Sequence, residues 1–126
     1  MPKPAALGVE EDDGTRPPST LPQSWQQLEA TFPEIVAAYN TLSDTCRHAG
    51  PLDPATVALV KLAVSVGCGA TRTVHSHTKK ALRAGLDPEA LRQVVLVALP
   101  TVGLPAALEA LRWVDESIDE VQRLRV

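Results

Sequence analysis

The sequence predicts an all-α fold of about six helices, and three observations carry that expectation. Apolar residues recur at three- and four-residue spacing, as Ile35, Val36, Tyr39 and Leu42 do. Asp53-Pro54 and Asp87-Pro88 each pair a capping carboxylate with a proline at the first helical position. No segment alternates with period two for long enough to build a sheet.

The elements follow in order. Residues 1–22 hold five prolines, the acidic run Glu10-Glu11-Asp12-Asp13 and few apolar side chains. Such a segment buries too little to offset its ordering entropy, so it is expected to be a flexible arm, free or docked on a neighbouring subunit. Residues 23–126 form the expected domain. A short helix runs from Ser24 to Ala30 with Trp25 and Leu28 on one side, and Pro33 opens a second that Gly50-Pro51 stops. The third, Val57–Val66, is apolar nearly all round except for Lys61, and Gly67-Cys68-Gly69 is expected to break it. The fourth spans about Ala70 to Ala84 and ends at Gly85, a left-handed cap. The fifth carries Leu91 and Val94 to Leu99 and is interrupted at Pro100 and Gly103. Pro105 opens the last.

Composition narrows the function classes. The net charge of -3 and scattered Lys and Arg give no footing for nucleic acid. No uncharged apolar stretch reaches membrane-spanning length. The acidic N-terminus lacks the apolar core of a signal peptide, so a cytoplasmic location is expected. Cys46 and Cys68 are too few and too far apart for a disulfide framework. Aromatics make up 3% of the chain, which leaves a core of Ala, Val and Leu between close helices. Two helices apolar on every side exceed what a small monomer covers, so a homo-oligomer is expected.

Lys61 to Gly85 is the stretch that bears chemistry. Ala63-Val64-Ser65-Val66, His77-Thr78-Lys79-Lys80-Ala81-Leu82-Arg83-Ala84-Gly85 and Gly103-Leu104-Pro105-Ala106-Ala107 together resemble the carboxymuconolactone decarboxylase and AhpD-like alkylhydroperoxidase family, over about Phe32 to Asp115. The resemblance implies an all-helical trimer or hexamer. The redox members carry Cys-x-x-Cys-x-x-x-His, a low-pKa thiolate with a resolving partner and a proton relay. Those Cys positions fall on Ala70 and Thr73 here, and the family's relay Glu falls on Ala58. The decarboxylase branch's Glu also falls on Thr73, and its Tyr falls on Thr101. Only His77 survives.

His77, Thr73 one turn before it and Lys61 on the preceding helix are therefore the candidate catalytic residues, forming an acid/base or anion-binding pocket for a small organic anion. Ala70 is expected two turns before His77 on the same face. A Lys inside an apolar helix is expected to have a depressed pKa unless paired. The plainer alternatives are that Lys61 reaches an edge or a carboxylate and that His77 is a packing residue. His75-Ser76-His77 is not read as a metal site, because residues two apart on a helix are turned by about 200°. His75 shares a face with Cys68 and Thr71. His48 is expected to interact with its own helix C-terminus. No cofactor and no metal are implied. Three functions stay open: an enzyme doing acid/base chemistry on a small organic acid through His77, an alkylhydroperoxidase-like antioxidant using Cys68 alone, and a non-catalytic oligomeric scaffold.

Overall fold

The structure is a computed structural model that describes residues 23–124. The expected arm at residues 1–22 lies outside them. Among the described residues there are six helices and no strand, and no helix is long and apolar enough to cross a membrane. The chain divides at Leu52 into two compact units.

The first unit is a helical pair, α1 (Gln23–Thr31) and α2 (Pro33–Arg47). Pro33 sits at the start of α2, where its missing N–H costs nothing. Trp25 and Tyr39 meet edge to face at 6.3 Å, tying the two helices together. Beyond Arg47, the His48 ring Nδ1–H donates to the Asp44 carbonyl at 2.8 Å, capping the helix end as expected.

The second unit holds α3 (Pro54–Cys68), α4 (Thr71–Arg83), α5 (Pro88–Val102) and α6 (Leu104–Leu124). The Asp53 carboxylate accepts from the Thr56 N–H at 2.8 Å, and hydrogen bonding from the Thr56 side chain first and its backbone N–H second holds its pKa below the usual carboxylate range. Asp87 accepts from the Glu89 N–H at 2.9 Å in the same way at the head of α5. The helix α3 packs on α4 and α5, and α6 lies against both α4 and α5. Leu62, Val74, Leu91, Val95, Val114 and Ile118 are the large side chains sealed between them.

Two helix ends differ from the sequence reading. Gly67 and Cys68 do not break α3. The helix runs through both and stops at Gly69, whose φ of 66° is left-handed. The Gly69 N–H donates to Val66 and the Ala70 N–H to Ser65, a Schellman closure with Gly69 as its left-handed residue. Likewise Pro100 does not interrupt α5. The helix continues to Val102 and ends at Gly103. Pro100 lacks the N–H that would reach the Leu96 carbonyl, yet the helix closes three residues later with the Gly103 N–H on Leu99. Gly85 closes α4 in the expected left-handed form, with its own N–H on Leu82 and that of Leu86 on Ala81.

Three buried polar residues interrupt the core: Ser65, Thr78 and Ser117. The Ser65 hydroxyl donates to the Lys61 carbonyl one turn back. Thr78 is fully buried, and its Oγ1 has no partner among the described residues.

Candidate functional site around His77

The helix α4 is strongly amphipathic, and two of its faces matter. Val74, Thr78, Ala81 and Leu82 point into the core. Because 3.6 residues make a turn, Thr73, His77 and Lys80 lie on another face, each three or four positions from the next. His77, Thr73 and Lys61 are all half-buried. Lys61 comes from α3, which packs directly on α4.

The electrostatics bring Lys61 to His77. Burial pushes the His77 imidazole down from 6.5 to about 4, and the positive charges of Lys61 and Lys80 act in the same direction. His77 is therefore neutral at pH 7, with a free lone pair on one ring nitrogen. Thr73 stands one turn before it on α4. Ala70 is the N-cap of α4 rather than part of its helical face, because the Schellman turn at Gly69 delays the helix to Thr71. Ala58 is half-buried against the edge of the core.

Lys80 was not singled out by the sequence reading, although its spacing from His77 was visible. A second signal was also available. From Pro54 to Leu86 the chain has no Asp or Glu, yet carries Lys61, Arg72, Lys79, Lys80 and Arg83. Five of the twelve Lys and Arg residues fall in this stretch and none of the fifteen Asp and Glu residues does. This one protein of net charge -3 places its acids elsewhere, five of them on α6.

His75 takes the opposite face from His77, as helix geometry requires. It meets α6, where its Nδ1 lies 2.5 Å from the Ser117 Oγ and its Nε2 lies 3.5 Å from the Glu116 carboxylate. This pairing spans 42 residues and has no local signature. Among the described residues no group of His, Cys, Asp and Glu converges as a metal site. Cys46 and Cys68 are both exposed free thiols.

The comparison with known families turns on this second unit and the helix before it. A family model described as the carboxymuconolactone decarboxylase family matches residues 33–116, two thirds of the chain. The chain belongs to that family. The match runs from the start of α2 into α6 and takes in Lys61, Thr73 and His77. The resemblance carried by His77 to Gly85 and by Gly103 to Ala107 thus identified the carboxymuconolactone decarboxylase family correctly. No curated protein and no solved structure matches the chain.

Proposed function

We propose that this carboxymuconolactone decarboxylase family member binds a small organic anion beside His77 and does acid/base chemistry on it. The observation that carries the reading is the neutral His77 ring with Lys61 and Lys80 as its charged neighbours. A neutral imidazole accepts a proton, and nearby ammonium groups favour an anion and the negative charge that proton removal leaves behind. In such a step His77 takes a proton from the carbon next to a carboxylate, and Lys61 faces the resulting enolate. Returning the proton elsewhere completes an isomerisation. Thr73 offers a hydroxyl one turn away to orient the ligand.

Dithiol peroxidase chemistry has no support, since Ala70 and Thr73 stand at the two Cys positions. Self-association is part of the proposal. Val60, Val64, Leu96 and Val97 stay exposed on α3 and α5, with Val97 at 70%, and a second copy is the occupant that fits an apolar surface of this extent.

The test is an NMR titration of the His77 ring with and without acetate and succinate, with His77→Gln as the assignment control. A bound carboxylate raises the His77 pKa. If no acid moves it and His77→Gln only lowers thermal stability, the residue is structural and the non-catalytic scaffold reading replaces this one.

A further inference from the structure

Ser76 shares the face of α4 that holds His77. Thr73, Ser76, His77 and Lys80 occupy positions i, i+3, i+4 and i+7 of the helix, so their side chains form one patch. All four are half-buried, although none belongs to the core face of Val74, Thr78, Ala81 and Leu82. The patch is polar throughout and contains no acid. Lys61, on the neighbouring helix α3, adds its charge at His77.

A hydroxyl inside a helix commonly bonds back to the carbonyl one turn before it. In this chain Thr41 does so to Ala37 at 3.1 Å, Thr45 to Thr41 at 2.8 Å and Ser65 to Lys61 at 3.0 Å. Ser76 does not, although Arg72 stands one turn before it in α4. Thr73 has no helical carbonyl behind it, because α4 begins at Thr71. Neither hydroxyl has a hydrogen-bond partner among the described residues. Two uncommitted hydroxyls therefore flank a neutral imidazole on a half-buried face.

We propose that the Thr73 and Ser76 hydroxyls form a two-donor clamp for one carboxylate of the anion that His77 acts on. The inference rests on the anion reading of His77 and adds the atoms that hold the ligand. Each hydroxyl donates one hydrogen bond, and a carboxylate has two oxygens to accept them. Residues three apart on a helix are neighbours, so the two donors reach one group. Bonds to an ionised acceptor are stronger than neutral ones. Lys80, one turn beyond Ser76, supplies the opposite charge. A carboxylate held on the edge between Thr73 and Ser76 carries its neighbouring carbon toward His77, which adjoins both. Ser76 is thus a ligand-binding residue that sets which end of an organic acid meets the imidazole.

The test titrates the full chain with acetate and with succinate, reading binding from the His77 ring resonance. Ser76→Ala keeps the helix, since alanine is the best helix former. It leaves the titration of the ligand-free ring unchanged, because the lost hydroxyl carries no charge. It lowers the affinity for acetate and for succinate by about tenfold each, and Thr73→Ala gives a loss of the same order. A wild-type ring that responds to acetate, with Ser76→Ala binding it equally well, overturns the clamp and leaves the anion reading standing. A Ser76→Ala whose ligand-free ring titrates at a different pH shows a packing role and also overturns the clamp. A wild-type ring that responds to neither acid overturns the anion reading, and the clamp falls with it.

Discussion

The charge of Lys61 on α3 acts on the half-buried His77 ring of α4, and neither helix carries a carboxylate. An imidazole between helices of that composition has no anion of its own element to stabilise its charged form. It stays neutral well below its usual range.

The first consequence is a pH-dependent stability. Below pH 6.5 the unfolded chain takes up a proton at His77, whereas the folded ring accepts none until about 4. Stability contributed by the neutral ring is complete above 6.5 and is lost as the pH falls toward 4. The gap corresponds to roughly 3 kcal/mol at most. Urea unfolding across that window should show midpoints falling with pH in the wild type and a flatter profile in His77→Gln. Parallel profiles would place the acid sensitivity elsewhere.

Thr78 offers a cleaner measurement. Its buried hydroxyl has no partner among the described residues, and such a group costs roughly 1–3 kcal/mol. Val has the same shape without the hydroxyl. Thr78→Val should raise the unfolding free energy by about 1 kcal/mol. A loss of stability would mean that the hydroxyl is satisfied in solution.

These two residues show how far the sequence was legible. Helix number, the caps at Asp53 and Asp87 and the left-handed stop at Gly85 were readable because each rests on contacts within a few residues. The family was readable from the order and spacing of three segments, Ala63 to Val66, His77 to Gly85 and Gly103 to Ala107. Lys61 as a neighbour of His77 was reachable only through the resemblance, which set a side chain of α3 against that ring. The run of α5 through Pro100 was not, since a proline late in a helix and a proline ending one look alike until the following glycine is weighed. The bond of His75 to Ser117 was invisible, because it depends on how α6 returns to α4.

Self-association is measurable directly. Light scattering should give a mass at least three times 13.4 kDa. Val97→Asp and Val64→Asp alter side chains exposed in the single chain, so they should lower that mass and leave helical content intact. A wild-type monomer at micromolar concentration would end the proposal.

Redox chemistry gives the fourth outcome. Cys68 ends α3, and without a thiol at position 70 or 73 no intramolecular disulfide closes between it and the head of α4. Peroxide consumption by the wild type should be near background, and Cys68→Ser should leave it unchanged. A robust rate that depends on Cys68 would restore the lone-thiol reading.

The acid-free run from Pro54 to Leu86 also sets how ligands arrive. Lys61 and Lys80, the charges that act on His77, attract small anions before any contact is made. Arrival should therefore slow as salt is added, over the range where the Debye length shrinks from about 30 Å to about 8 Å. Departure, governed by short-range contacts, should change little. An anion's affinity for the site beside His77 is then set by the ionic strength of its surroundings as much as by its shape.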